Sequence, residues 1–269
     1  MYHLRLHHRQ LLQSVMVCAC TGIFLSSVAS GQSNLGDLLK RHELITRFDK
    51  NGDGRLDVAE RTAAQQWIHQ EREGSAGGRR LLRHSRIGSR SSRTPSVDKP
   101  AEVSSHKGKP WFDPDIMRTV SLSMPGSNWH GELSEFYRTD VEVPGTLTID
   151  GQGYPGVGVR YRGSSSYIMV STLKKKSFNI SLDHTDDKAR IDGNRTVNFL
   201  NCNQDPSLIR DAIFAQIAGQ FVPTPRVNFI KLIINGANWG VYGNAQQFNK
   251  DFLKDWFGSR KSIRWKIER

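Results

Sequence analysis

Two stretches of this sequence place ligating or charged residue types at spacings that chemistry can use. The first is DKNGDGRLDVAE, Asp49 to Glu60. Asp49, Asn51, Asp53, Asp57 and Glu60 set side-chain oxygens at positions one, three, five, nine and twelve of a loop, and Gly54 stands at position six, where the chain must turn sharply. The backbone carbonyl of Arg55 completes the set. Hard divalent cations take several oxygen ligands, and this spacing is the one an EF-hand uses for Ca2+. Leu56 is expected to pack the loop against two flanking helices, read from the apolar spacing that ends at Phe48 and from the stretch running through Trp67. A plain polar turn is the alternative, and it leaves five matched donors unexplained. Because the motif stands alone, its affinity for Ca2+ is expected to be weak, on the order of 0.1–1 mM.

The second stretch is GVGVRYRGSSSYIMVSTLKKKSFNISLD, Gly156 to Asp183. Val157, Val159 and Tyr161 alternate with Gly158, Arg160 and Arg162, and Phe178, Ile180 and Leu182 alternate with Ser177, Asn179 and Ser181. A period of two reads as two strands, each with one apolar and one polar face. If they pair antiparallel, Arg160, Arg162 and the run Lys174-Lys175-Lys176 gather beside the turn Gly163-Ser164-Ser165-Ser166. Such a face suits a polyphosphate; it equally suits a solvated hairpin. Parity favours Lys175 over Lys176 as the lysine sharing the arginine face, provided Phe178 points inward.

The rest of the chain must position these groups. Its 269 residues carry a formal charge of +12 with 37% hydrophobic residues, enough for a real core but low for one compact unit. Residues 1–30 read as a secretory signal peptide: Arg5 and Arg9 precede an apolar run from Leu11 to Val28, followed by small residues at Ala29 and Ser30. The run is marginal in length for a membrane span, and none is expected after cleavage. Cleavage also removes Cys18 and Cys20, leaving Cys202 and no intramolecular disulfide. A secreted, periplasmic or cell-surface protein of bacterial type is the expectation. Residues 31–70 then form the EF-hand unit. Residues 71–110 form a Ser/Arg/Gly linker with ten Lys/Arg against four Asp/Glu, too polar to order itself. Its basic charge lacks interleaved aromatics, so nucleic acid is not the expected partner.

The main domain spans 111–269. Strands are expected over Ile116–Met124, Asp140–Asp150, the two arms of the cationic hairpin, Thr196–Leu200, Val227–Ile234 and Trp239–Ala245. Asp150-Gly151 and Asn235-Gly236 mark hairpin turns. Helices are expected over Asn128–Tyr137, from Asp205 (N-cap) and Pro206 onward with a stripe of Ile209, Ile213 and Ile217, and over Asn249–Phe257. The fold class expected is α+β: a mainly antiparallel sheet with packed helices, preceded by the helical EF-hand unit and the linker.

GVGVRYRGSSS, KKSFNISLD, RTVNFLNCNQDPSLIRDAIFAQIAGQ and VNFIKLIINGANWGVYGNAQQ resemble, in order, the spore-coat protein H (CotH) kinase family, over roughly Ile116 to Trp256. The resemblance implies a kinase-like N-terminal lobe, ATP with Mg2+ as cofactor, and secreted or cell-surface proteins as partners. It also implies that Arg160, Arg162, Lys175 and Lys176 approach the nucleotide phosphates, with Gly163 allowing close approach. Charge neutralisation of this kind is what phosphoryl transfer requires. Two departures stand out. Gln246 occupies a position where many relatives carry an acidic residue. The family's catalytic and metal-holding aspartates lie downstream of the segment matching DFLKDWFG, and only SRKSIRWKIER follows here. The expectation is therefore an exported calcium-binding protein with a truncated CotH kinase-like domain, lacking phosphotransferase activity as an isolated chain. A calcium-dependent surface or adhesion module is the alternative, and a protein kinase becomes one if the chain continues beyond Arg269.

Overall fold

Alternation of apolar and polar residues decides the architecture between Arg118 and Gln246. It yields seven strands: β1 (Arg118–Ser123), β2 (Val143–Ile149), β3 (Gln152–Arg162), β4 (Ser177–Ser181), β5 (Thr196–Leu200), β6 (Val227–Ile234) and β7 (Ala237–Gln246). In the computed structural model of the protein, residues 43–74, 106–171, 174–261, 263 and 265 are described, all within one compact unit spanning Arg41–Arg269. The signal peptide expected over 1–30 lies outside the described residues, as does 75–105 of the expected linker.

The strands follow the order β1-β2-β3-β4-β5-β7-β6 and close into a barrel. Neighbouring pairs are antiparallel; for example, Tyr161 lies opposite Phe178 and Phe178 opposite Phe199. The exception is β6, which returns to lie parallel to β1 with Val120 opposite Leu232. Every second residue points inward. Val120, Leu147, Val159, Phe178, Phe199 and Leu232 are all fully buried there.

This closed barrel overturns the expected α+β, kinase-like lobe built on an open antiparallel sheet with packed helices. The physical reason is that β1 and β6, the two strands left at the edges of such a sheet, are apolar on matching faces and pair with each other, which removes both edges. The helices are short and peripheral: α1 (Ile45–Phe48), α2 (Val58–Gly74), α3 (Trp129–Glu135), α4 (Ser165–Ile168), α5 (Arg210–Ala218) and α6 (Lys250–Phe257).

Local chemistry sets the boundaries. The two turn dipeptides take the left-handed conformation in sequence, Asp150-Gly151 at φ 50° and 79° and Asn235-Gly236 at φ 48° and 81°, which matches the twist of the strands they join. Asn249 caps α6 by accepting from the N–H groups of Asp251 and Phe252. The helix expected from Pro206 begins later, at Arg210. Asp205 folds the intervening residues into a turn, its carboxylate accepting from the N–H groups of Ser207 (3.1 Å) and Arg210 (2.8 Å). The expected stripe of α5 is also corrected. No residue of that helix is buried, and Ile209, Ile213 and Ile217 are exposed.

The acidic-loop segment rests on the barrel's flank. Leu44, Leu56, Ala64 and Ile68 belong to the same hydrophobic cluster as the barrel interior. Arg61 of α2 donates to Glu132 of α3 (2.8 Å) and to the carbonyl of Leu56 (2.9 Å), Gln65 donates to Glu135 (2.6 Å), and Asp140 accepts from the N–H of Leu44 (2.7 Å).

Candidate functional site

The cationic residues collect at the end of the barrel where β3 finishes and β4 begins. Arg162 lies opposite Ser177, and Arg160 opposite Asn179, so both guanidinium groups start from the barrel's outer face. Arg160 is the more committed of the two. Its Nε donates to Asn179 Oδ1 (3.0 Å) and lies 3.6 Å from Glu142 Oε1. Asn179 in turn donates to Asn198 Oδ1 (2.8 Å), and Asn198 to Gln247 Oε1 (2.8 Å) and the carbonyl of Ala245 (3.1 Å). The result is a buried row of amides crossing the outside of β3, β4 and β5.

Glu142 anchors this row. It accepts from Ser181 Oγ (2.8 Å) and faces His184 Nδ1 (3.3 Å). Burial alone would push its carboxyl up, but His184, Arg160 and Ser181 together hold it below the usual carboxylate range.

Arg162 is different. Its side chain makes no hydrogen bond or ion pair with any of the described residues, and burial plus the neighbouring Arg160 lowers its pKa from the usual guanidinium value. The loop that follows is held in place. Gly163 sits at φ 90°, and a Cβ there would lie 2.1 Å from Ser166 Oγ, so the turn admits only glycine without rearrangement. Tyr137 donates its hydroxyl to the carbonyl of Gly163, Arg138 donates to Ser164 Oγ (3.0 Å), and the Tyr137 and Tyr167 rings stack 3.5 Å apart.

The two lysines are turned into the protein. Lys176 is only 3% exposed. Its Nζ donates to the carbonyls of Tyr167 (2.8 Å) and Val170 (2.5 Å) and lies 4.1 Å from the Tyr167 ring. Lys175 Nζ donates to the carbonyl of Val241 and lies 4.3 Å from the Tyr242 ring. Burial lowers each amine to a pKa of about 8. Asn201 ties the assembly together: it accepts from Ser177 Oγ (3.0 Å) and donates to the carbonyls of Ser166 and Lys175 (both 3.1 Å). Thus Arg160, Arg162, Gly163, Lys175 and Lys176 are brought to one end of the barrel, and Arg162 alone of the four cations has its charged group uncommitted among the described residues. Gln246 lies elsewhere, at the opposite end, donating to Asn194 (3.3 Å) and Asp255 (2.6 Å). Glu142, Asn198 and Asn201 were not anticipated. Each is joined to its partners across strands, and no local spacing announces them.

The acidic loop forms a second assembly. Asp49 accepts from the N–H groups of Gly52 (2.7 Å) and Gly54 (2.8 Å), Asn51 from Asp53 (2.9 Å), and Asp53 from Arg55 (2.8 Å). Glu60 closes the loop by accepting from the N–H groups of Lys50 (2.7 Å) and Asp57 (2.9 Å), while Asp57 accepts from the N–H of Glu60 (2.8 Å). Gly52 and Gly54 take φ 75° and 77° with open space around them. Both glycines therefore turn the chain in the left-handed conformation. The carboxylates are not gathered as a metal cage gathers them: among the described residues, no three His, Cys, Asp or Glu side chains are grouped to hold an ion.

The molecule is thus a closed barrel with a cationic end and an acidic loop on its flank. Residues 159–268 match the family model described as CotH kinase protein, which supports the resemblance to that family for the segment running from β3 through α6. No curated protein matches the chain.

Proposed function

We propose that this is an exported calcium-binding protein in which an EF-hand-type loop is carried on a CotH-like barrel. The observation that supports this reading is the loop from Asp49 to Glu60. Four carboxylates, the Asn51 amide and the Arg55 carbonyl lie along one tight turn whose glycines already adopt the required left-handed conformation. The donor chemistry fits a hard cation. Each of the five donor side chains presently accepts a short-range N–H bond and keeps further lone-pair capacity, so Ca2+ need only draw the carboxylates inward.

Calorimetric titration of the purified chain with CaCl2 tests the reading. Binding heat with a dissociation constant on the order of 0.1–1 mM is expected, abolished in Glu60→Gln and Asp49→Ala. Absence of heat in the wild-type chain overturns it. Export is tested separately, by N-terminal sequencing of the protein recovered outside the cell, with cleavage expected near Ala29 or Ser30.

A second reading is favoured by Arg162. A half-buried guanidinium beside a glycine turn and three serines is suited to a phosphate oxygen, and nucleoside triphosphate with Mg2+ is the ligand class we assign to it. Titration with ATP and Mg2+ should give a response that Arg162→Ala removes and Lys174→Ala leaves intact. An equal response in Arg162→Ala rules the assignment out.

A further inference from the structure

α5 is inside out for a helix that merely covers a barrel. A surface helix normally turns its large apolar residues toward the core and its polar residues to water. Here the half-buried side holds Ala212, Ala215 and Ala218, and the outward side holds Ile213, Phe214 and Ile217. Phe214 is 64% exposed, and Phe221, just beyond the helix end, is 73% exposed. A helix of this length gains little from its own hydrogen bonds in water and depends on burying a face. The barrel buries none of its residues.

Two features indicate what covers this face. No charged residue occurs between Asp211 and Arg226, although the chain as a whole carries +12. A two-fold contact sets only the residues near its axis beside their own copies, and an uncharged centre permits that without like-charge repulsion. The area is also sufficient. The exposed parts of Ile213, Phe214, Ile217, Phe221 and neighbouring Val222 amount to about 500–600 Å2, so a symmetric pair buries about 1,000–1,200 Å2, at the lower edge of stable interfaces. Gln204 extends the patch: its Nε2 lies 3.4 Å from Met169 Sδ and its carbonyl accepts from Arg210 (3.2 Å), which brings the exposed Met169 beside the start of α5.

We infer that α5 is the interface through which two copies of this chain associate, packing about a two-fold axis close to Phe214 and Ile217. α5 packs on β6, whereas the helix that follows the acidic loop is tied to α3.

Sedimentation velocity of the full chain from about 1 to 100 μM tests the inference, a span chosen because interfaces at this lower size limit are commonly weak. The wild-type chain should pass from monomer to dimer, and Phe214→Asp should raise the dissociation constant at least ~100-fold, as loss of a central aromatic anchor does. Ile213→Ser is the milder second variant and should weaken association with the barrel's circular dichroism retained. Asn51→Ala, in the acidic loop whose helix α2 is tied to α3 rather than to α5, should dimerise normally. A wild-type chain that stays monomeric throughout overturns the inference. So does a dimer that both α5 variants leave intact.

Discussion

The acidic loop and the cationic end of the barrel hold their charges by opposite means. In the loop, the side-chain hydrogen bonds from Asp49 to Glu60 join residues no more than ten positions apart, and most join residues two to five apart. At the barrel's end, Arg160 reaches 19 residues to Asn179, Asn198 reaches 49 to Gln247, and Lys175 reaches 66 to Val241. The loop is thus a local device that the chain can form wherever it is placed. The contacts of Arg160 and Lys175 exist only once β3, β4 and β7 have come together. One consequence is economic in sequence: a local site can be read from spacing, and a distributed one cannot.

This contrast is best broken at its long-range side. Asn198→Leu removes bonds to Asn179, Gln247 and the Ala245 carbonyl at a residue only 1% exposed, and leaves buried partners unsatisfied. It should cost about 3 kcal/mol in urea unfolding. At the same end but through local bonds, spanning 9 and 6 residues, Lys176→Met orphans the carbonyls of Tyr167 and Val170 and should cost about 2 kcal/mol by the same measurement.

Titration sharpens the contrast further. Lys175 and Lys176 have folded pKa values of about 8 against an ordinary 10.5. Between those two values the unfolded chain binds more protons than the folded one, so stability should rise as pH increases from about 8 toward 10.5. Urea midpoints at pH 7.5, 9 and 10 read this directly, and the rise should shrink in Lys176→Met. Glu142 acts at the other end of the scale. Its folded pKa is depressed, so its contribution is present above the ordinary carboxylate range and is lost as pH falls through the lower folded value. In Glu142→Gln that acid-side loss should be smaller.

The smallest effect should come from the loop. Asn51 is exposed, and Asn51→Ala without calcium should change stability by no more than about 0.5 kcal/mol, while weakening the calcium titration. If it costs as much as Asn198→Leu, the loop is not the autonomous device its bonding pattern implies.

How much was legible in the sequence follows the same division. Period-two alternation located the strands well: Thr196–Leu200 and Val227–Ile234 match their observed bounds, and both positive-φ dipeptides were legible as turns. Barrel closure was not legible, because nothing in the local pattern of β1 tells that its free edge will meet β6 in parallel. The position of α5 was visible, but its orientation was not. Periodicity marks an apolar stripe and assumes that the stripe faces in, whereas the alanines opposite it allow the closer approach to the barrel. At the cationic end, residue types located the strands and loop that carry the cations. Only the three-dimensional partners distinguish Arg162 from lysines that are spent on backbone carbonyls.

The parallel seam between β1 and β6 also bears on how the molecule assembles. The chain emerges from synthesis with β1, β2 and β3 able to pair successively, each with its immediate neighbour. Arg118 must wait for Ile230 before its strand is covered on the second side. Until then β1 presents an open, apolar edge to other nascent chains, and joining it requires closing a very long loop. The step that completes the barrel is therefore expected to be the slow one, and the interval before it is the period of greatest exposure to aggregation.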